Sequence, residues 1–314
     1  MDLQTQITGI QDLQTQITGI QLEHPLMNAA GTCKLLEHVK ELARSASAAI
    51  VVGSITMEPR TGNSGDTYWS EPRFSLNSLG LPNRGAPYYK ETLPEMVSVA
   101  QGEGKPLFVS VAGFSPEEYA SLAGLAFEGG ADLVELNLGC PNVWQGSTQK
   151  RIACFDPALV AEILGRVEER VGADAKVSVK ISPFSDTFAL AEVAQVIGSS
   201  KVAKAVTTVN TFPNAFSYNG TKPRIAPGGG LAGLAGPAMK QIGLGQVRQL
   251  RSLLPEHIQI IGVGGITRGL DIREYLDSGA VATQVATAYL DQHEKVFFSL
   301  LDQLLEPLKQ EAES

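Results

Sequence analysis

Short apolar runs alternate with amphipathic segments along the whole chain. This alternation is typical of strand–helix units that build a parallel sheet with helices packed against it. Eight of the apolar runs have the length of buried strands, and eight is the number of strands in a closed (β/α)8 barrel. The candidate strands are residues 26–30, 49–54, 107–112, 133–138, 176–181, 205–209, 258–262 and 282–286. The pattern therefore predicts an α/β fold, specifically a (β/α)8 TIM barrel.

Several helices between these strands have recognisable first residues. Ser115 is followed by Pro-Glu-Glu118, which is a capping box with proline at the first helical position. Asp156, which precedes Pro157, is a candidate N-cap for a helix over residues 158–171. Residues 294–310 repeat apolar positions at helical spacing, so we expect them to pack on the barrel wall.

The N-terminus contains a short perfect repeat, because residues 2–11 recur unchanged as residues 12–21. Two short copies do not make a solenoid, which needs at least three longer units. In the second copy Leu13, Thr15 and Ile17 alternate with polar neighbours, which predicts a strand of a small N-terminal hairpin. We expect residues 2–11 to be a duplicated extra segment.

Two connections, residues 55–87 and 210–236, are too long for simple loops and are rich in Gly and Pro. Long loops in compact domains usually serve binding or catalysis. In a barrel both would lie over the C-terminal face, where active sites are found. Because no shift in composition marks a linker, residues 1–314 are predicted to form one domain.

Composition and charge argue against several classes of binding partner. The net charge of −8 argues against a nucleic-acid partner. No apolar run approaches the roughly 20 residues that span a bilayer, and no secretory signal is visible, so we expect no membrane association. The three cysteines cannot all pair, which suits a reducing, cytoplasmic location. The four histidines are scattered, and no metal is expected.

The most informative motif is Asn-Leu-Gly-Cys-Pro-Asn at residues 137–142, directly after the predicted strand 133–138. A cysteine thiol can move a proton near neutral pH or act as a nucleophile. Asparagine offers both an acceptor and a donor, which suits the edge of a cyclic amide or imide. A buried thiol in an ordinary loop is the alternative for a lone cysteine. The two flanking asparagines favour catalysis by Cys140.

Small residues at the ends of the last two predicted strands indicate a phosphate site. Gly262-Val-Gly-Gly265 and Val285-Ala-Thr-Ala288 would lie side by side, where barrels often bind phosphate. Lys180 ends another strand, and a lysine there would stabilise negative charge near N1 of a flavin. Gly228–Gly233 matches the dinucleotide-binding pattern only literally, because no strand precedes it, and we interpret it as a lid over a flat ligand.

Taken together, these motifs resemble the dihydroorotate dehydrogenases, flavoproteins of pyrimidine synthesis, from about Leu13 onward and in the same order. The residues that carry the resemblance are Met27–Gly31, Asn77–Asn83, Asn137–Asn142, Val179–Pro183, Val209–Thr211, Gly230–Gly236 and Gly262–Gly265. The resemblance implies an FMN-containing barrel that oxidises dihydroorotate to orotate. FMN N5 would accept hydride from C6, and Cys140 would be the base that removes the proton from C5.

The same resemblance assigns binding residues. Substrate-binding positions are Lys34, Asn77, Gly80, Leu81, Asn137, Asn142, Asn210 and Thr211. Cofactor-binding positions are Ala30, Gly31, Ser54, Asn77, Asn137, Lys180, Val209, Gly233, Gly264, Gly265, Ala286 and Thr287. The membrane-bound class uses serine as the base and carries an N-terminal membrane helix, so this chain resembles the soluble class (class 1).

The chain departs from the soluble class at several positions. Gly53 stands where that class has a lysine that reaches flavin and substrate. Lys34 lies where the membrane-bound class places its substrate-contacting lysine, so we predict that Lys34 replaces the missing charge. The loop 143–152 is longer than usual, and Ala286 replaces a common glycine.

Three other functions remain open at this point: a dihydropyrimidine dehydrogenase-like enzyme acting on uracil or thymine, a tRNA dihydrouridine synthase, and a non-catalytic flavin-binding barrel. The acidic charge balance counts against a tRNA enzyme. Fumarate, or a partner iron–sulfur flavoprotein subunit that relays electrons to NAD, would accept the electrons. The family implies a homodimer.

Overall fold

A computed structural model of the chain describes residues 13–145 and 148–312; the predicted extra segment, residues 2–11, lies outside them. Its strands are β1 Thr15–Ile17, β2 Ile20–Leu22, β3 Leu26–Asn28, β4 Ile50–Ile55, β5 Tyr68–Glu71, β6 Phe74–Asn77, β7 Leu107–Val111, β8 Leu133–Asn137, β9 Trp144–Gln145, β10 Thr148–Gln149, β11 Val177–Ile181, β12 Ala203–Thr208, β13 Phe212–Ala215, β14 Tyr218–Asn219, β15 Lys222–Pro223, β16 Ala232–Ala235, β17 Gln259–Val263 and β18 Ala282–Val285.

The helices follow the predicted starts closely. Ser115 Oγ accepts a hydrogen bond from the Glu118 N–H, and Asp156 accepts one from the Leu159 N–H. Each cap therefore satisfies one free backbone donor of its helix. The α-helices are α1 Leu36–Ala43, α2 Gly85–Gly102, α3 Pro116–Glu128, α4 Pro157–Val171, α5 Thr187–Ser199, α6 Lys240–Leu253, α7 Gly269–Asp277, α8 Thr287–Gln292 and α9 Lys295–Ala312.

Eight parallel strands form the barrel wall, in the order β3-β18-β17-β12-β11-β8-β7-β4. The side chain of Asn28 joins the two ends of this sheet, because it accepts from Val51 N at 2.9 Å and donates to Val51 O at 2.9 Å. Farther along the same seam, Gly31 N donates to Gly53 O. All eight predicted strands are present, and the predicted (β/α)8 barrel is confirmed.

The predicted N-terminal hairpin is present as β1 and β2, and it closes the bottom of the barrel. Thr15 Oγ1 donates to Val281 O and Thr18 N to Gln259 Oε1, and both acceptors lie at the N-terminal ends of barrel strands. The hairpin and the barrel strands above it share a buried apolar cluster, the lower core: Ile17, Ile20, Leu22, Met27, Ala48, Ala49, Val51, Phe108, Leu133, Ile261 and Ala282. Side chains that point outward from the same strands pack against the helices.

The two long connections contain a second, smaller sheet that the sequence did not predict. Strands β5 and β6 from the first connection pair with β16 and β13 from the second, in the antiparallel order β13-β16-β6-β5. Ser75 Oγ lies 2.9 Å from Thr287 Oγ1, and Asp291 accepts from Tyr68 Oη and Ser70 Oγ. These bonds fasten the small sheet to α8 at the C-terminal face.

None of the helices in residues 13–145 and 148–312 combines the length and the apolar character needed to cross a bilayer.

Candidate active site

The C-terminal ends of the barrel strands and the small sheet border an open cleft with about 830 Å³ of space not occupied by protein atoms. Barrel strands supply Ser54 from β4, Asn137 from the end of β8 and Lys180 from β11, while β6 of the small sheet supplies Asn77. Cys140 lies in the loop after β8 and faces the same cleft. The cleft therefore brings together groups from four separate segments of the chain.

The four predicted asparagines form two hydrogen-bonded pairs in this cleft. Asn142 Nδ2 donates to Asn77 Oδ1 at 2.7 Å, and Asn210 Nδ2 donates to Asn137 Oδ1 at 3.0 Å. Asn137 in turn donates to Ser54 Oγ at 2.9 Å, so its amide orientation is fixed. Paired amides retain further donors and acceptors for a planar amide or imide ligand.

Cys140 lines the same cleft and is partly buried, and groups that raise and lower the pKa of its thiol lie around it. Burial raises the pKa of its thiol, while the Asn142 backbone N–H, the Lys150 ammonium and the Arg60 guanidinium act in the opposite direction. Lys150 Nζ lies 4.1 Å from the centre of the Phe114 ring, and Arg60 Cζ lies 5.1 Å from it. One aromatic ring thus holds both cations close to the thiol.

Lys34 lines the cleft, and among the described residues its ammonium forms no hydrogen bond or ion pair. Its backbone is anchored instead, since Lys34 N donates to His38 Nδ1 and Tyr89 Oη donates to Lys34 O. Burial lowers the pKa of the Lys34 ammonium. A partly desolvated cation without a counter-ion is suited to bind an anionic group of a ligand.

Gly53 has no room for a side chain. Its φ is +113°, and a Cβ there would lie 2.2 Å from the backbone oxygen of Ser110. The pairing of β4 with β7 is also irregular at this point, between Val52 and Ile55. A lysine at position 53 is therefore excluded by the backbone itself, which leaves the cleft without the cation that the resemblance implied for this strand.

A second cavity of about 620 Å³ adjoins the cleft, and Ala30, Lys180 and Thr287 line both. Its far end consists of the turns after β17 and β18, with Gly264 and Gly265 in the first. Gly265 has a φ of +71°, and a Cβ there would lie 2.5 Å from the Lys240 N at the start of α6. Glycine thus lets the turn after β17 and the start of α6 approach each other closely, as a phosphate site requires.

Nearly all predicted binding residues line one of these two cavities. Gly233 lines neither, because it lies behind Thr211, where a Cβ would lie 2.0 Å from Thr211 Oγ1. The glycine-rich segment interpreted as a lid also faces elsewhere: Gly228 packs against Trp144, and Gly230 against Phe216. Those that do line a cavity are Lys34, Asn77, Gly80, Leu81, Asn137, Cys140, Asn142, Asn210, Thr211, Ala30, Gly31, Ser54, Lys180, Val209, Gly264, Gly265, Ala286 and Thr287.

Sequence reasoning missed several residues of the site. Tyr68 and Ser75 of the small sheet and Leu290 of α8 line the cleft, but no motif marks them. Glu135 and Gln284 contact Lys180 from inside the barrel. Glu135 did carry a signal, because a carboxylate in the middle of a buried strand is rare unless it is paired.

Comparisons with known proteins identify the family of the chain. The family described as dihydroorotate dehydrogenase matches residues 12–308. The catalytic subunit of dihydroorotate dehydrogenase B (NAD+) of Methanopyrus kandleri is 36% identical over 271 residues, which cover 84% of this chain and 81% of that protein. Dihydroorotate dehydrogenase (fumarate) of Kluyveromyces lactis is 33% identical over 292 residues, 92% of this chain and 90% of that protein.

Among solved structures, the dihydroorotate dehydrogenase of Eimeria tenella in complex with ferulenol superimposes with a TM-score of 0.81. It is 19% identical, and the match covers 96% of this chain and 85% of that one, so this similarity supports the fold alone. The family match spans nearly all of the described residues and includes every segment that forms the cleft. The chain belongs to the dihydroorotate dehydrogenase family, a family of oxidoreductases.

Proposed function

We propose that this protein oxidises dihydroorotate to orotate with bound FMN, and that Cys140 is the base. The observation that carries this proposal is the position of the Cys140 thiol in a cleft whose walls are two asparagine pairs, with Lys180 at the junction to a glycine-rich cavity. The thiol, the asparagine pairs and Lys180 each have a role in the oxidation of a dihydropyrimidine, and they come from separate sequence motifs.

The substrate side of the cleft suits an anionic pyrimidine. The pairs Asn77–Asn142 and Asn137–Asn210 can bind the donors and acceptors of the ring and hold it in one orientation. Lys34, without a partner among the described residues, supplies a positive charge for the carboxylate. Dihydroorotate carries this carboxylate and dihydrouracil does not, so Lys34 favours dihydroorotate over the dihydropyrimidine dehydrogenase alternative.

Cys140 takes the proton in this scheme. As a thiolate it removes a proton from C5, and the Lys150 and Arg60 cations stabilise the thiolate against the cost of burial. The asparagine pairs keep C5 in front of the sulfur throughout the step, which supplies orientation rather than charge. FMN, when bound, supplies the acceptor for the hydride that leaves C6.

The second cavity fits FMN in its chemistry. The turn at Gly264 and Gly265 and the start of α8 at Thr287 offer backbone N–H groups to a phosphate. Lys180 lies where this cavity meets the substrate cleft, the position at which a flavin ring would have to lie between phosphate and substrate. Lys180 can then donate to the edge of the ring that gains negative charge on reduction.

Anaerobic mixing of the FMN-loaded protein with dihydroorotate tests the proposal. We expect rapid bleaching of the flavin absorbance and release of orotate, and no bleaching with dihydrouracil. A flavin that does not respond to dihydroorotate would favour a non-catalytic flavin-binding protein, and bleaching by dihydrouracil alone would favour the dihydropyrimidine enzyme. Binding of tRNA with micromolar or better affinity would instead revive the dihydrouridine synthase alternative.

The electron acceptor, assembly and location are also proposals. Relatives are named for fumarate and for NAD+ with a catalytic subunit, so steady-state assays with each acceptor decide between a self-sufficient enzyme and one that needs an iron–sulfur partner. The free thiols Cys33, Cys140 and Cys154 suit a reducing cytoplasm. A homodimer of single-domain chains, to be checked by sedimentation, remains our prediction.

A further inference from the structure

Below the cleft, inside the barrel, lies a buried ionic group that proton transfer and substrate binding do not use. Lys180 Nζ donates to Gln284 Oε1 at 3.1 Å and lies 3.5 Å from Glu135 Oε1. Gln284 Nε2 donates to Glu135 Oε2 at 3.1 Å, which closes the triangle. We call these three residues the Glu135 network.

Stability does not account for the Glu135 network. Glu135, Lys180 and Gln284 are 1%, 4% and 2% exposed, so both charges have lost nearly all their hydration. Glu135 Oε1 accepts no hydrogen bond among the described residues and has only the long contact with Lys180. Replacement of a buried ion pair by well-packed apolar residues of similar volume is often neutral or stabilising. An incompletely satisfied buried charge of this kind needs another explanation.

Two of the three residues of the network reach a cavity. Lys180 lines both cavities and Gln284 lines the second, whereas Glu135 lines neither. Glu135 therefore acts on a ligand through its neighbours, and Lys180 is the one that carries a charge. A lysine ammonium has three N–H donors. One binds Gln284 and a second faces Glu135, which leaves a third for a ligand in the cavities. Two contacts from below thus fix the direction in which the third donor points.

We propose that Glu135 is a positioning residue that sets the reduction potential of the flavin through Lys180. This inference rests on the proposed FMN site. A reduced flavin carries extra negative charge near N1, and a nearby cation favours that form. The Glu135 carboxylate holds the ammonium in place and offsets part of its charge at short range. Removal of the carboxylate charge therefore makes the bound flavin easier to reduce.

The test is the midpoint potential of FMN bound to Glu135→Gln, measured by equilibration with a reference dye. Glutamine has nearly the same volume as glutamate and keeps a hydrogen-bonding group beside Gln284, but it carries no charge. We expect a more positive potential, with the two-electron reduction equilibrium shifted at least tenfold towards the reduced flavin, which corresponds to about 30 mV.

Two control variants separate charge from packing. Glu135→Asp keeps the carboxylate and should restore most of the wild-type potential. Ser178 on β11 pairs with Glu135 on β8, and its hydroxyl forms a hydrogen bond with Thr207. Ser178→Ala removes this hydrogen bond without any change in charge. We expect the flavin potential of Ser178→Ala to stay at the wild-type value. If Glu135 acted only through packing, Ser178→Ala would shift the potential as much as Glu135→Gln does.

A failure of the inference about Glu135 and a failure of the proposed function give different results. A wild-type protein that takes up no FMN contradicts the proposed function, whereas a loaded, active protein whose Glu135→Gln variant has an unchanged or more negative potential overturns the inference. If Glu135→Gln does not fold, the double variant Glu135→Gln/Lys180→Met removes both buried charges and avoids an unpaired one. Its potential should fall below that of the wild type, and an unchanged value would equally overturn the inference.

Discussion

The two halves of the barrel interior are built from the same strands but from opposite chemistry. In the lower half, Phe108, Leu133 and Ile261 belong to the lower core, which packs against the N-terminal hairpin. Two residues farther along β7 and β8, the inward side chains become Ser110 and Glu135. Successive inward side chains of a strand are two residues apart. On β7 and β8, therefore, one inward side chain belongs to the apolar lower core and the next belongs to the polar upper half.

This difference separates what holds the fold from what does the chemistry. Apolar layers normally fill a barrel of this kind. The lower half follows that rule, while the upper half replaces the apolar layer with hydroxyl groups and a buried ion pair. Substitutions in the lower half should therefore change stability and leave the chemistry intact, and substitutions in the upper half should do the reverse.

The largest effect on chemistry is expected from Cys140→Ala. Loss of a general base commonly reduces the rate by 10²- to 10⁴-fold, and we expect kcat to fall by at least about 100-fold with little change in Tm. Stopped-flow measurement of flavin bleaching by dihydroorotate checks this. The control is Cys154→Ala, which removes a fully buried thiol that accepts from Ser182 N, outside both cavities. A Cys140→Ala variant that reduces its flavin at the wild-type rate would contradict the proposed base.

The largest effect on stability is expected from Phe108→Ala in the lower core. Phe108 is 1% exposed, and truncation of a buried phenylalanine costs about 3 to 5 kcal/mol of the free energy of unfolding. Denaturant titration measures the loss, while KM of the folded enzyme should not change. A rise in KM comparable to that of a cleft variant would show that the two halves are not independent.

An intermediate effect is expected from Lys34→Ala. A hydrogen bond to a charged group contributes about 1.5 to 3 kcal/mol, so KM for dihydroorotate should rise roughly 10- to 100-fold. Lys40 on α1 is the matched control, because it is 46% exposed and pairs only loosely with Glu95 at 3.9 Å. Kinetics of Lys34→Ala that equal those of Lys40→Ala would refute the idea that Lys34 replaces the charge missing at Gly53.

The smallest effect concerns the pH profile. Because burial raises the pKa of the Cys140 thiol, the thiolate fraction and kcat should increase with pH up to values above the usual cysteine range. Lys150 works against this shift, so Lys150→Met should move the ascending limb to still higher pH, and Lys150→Arg should restore it. An ascending limb that stays in place in Lys150→Met would show that Lys150 does not influence the thiol.

Much of the fold could be predicted from the sequence, because barrel strands are local apolar runs. The small sheet could not, since its strands lie in Gly- and Pro-rich segments and their pairing joins residues 75–77 to residues 233–235. The motif at residues 137–142 predicted the cleft, but not the arrangement of its asparagines in pairs. Gln284 and Glu135 are 149 positions apart, so only the closed barrel reveals that they meet.

The contact between the hydroxyl groups of Ser75 and Thr287 connects the small sheet to the rim of the second cavity. Ser75 lies two residues before Asn77 on β6, and Thr287 begins the helix at the rim of the glycine-rich cavity. If a ligand accepts a hydrogen bond from the Thr287 hydroxyl, the Ser75 hydroxyl must be the donor in the contact between the two residues, and the direction of that hydrogen bond is fixed. A ligand in the glycine-rich cavity would therefore set the orientation of a hydroxyl group on β6, the strand that also carries Asn77.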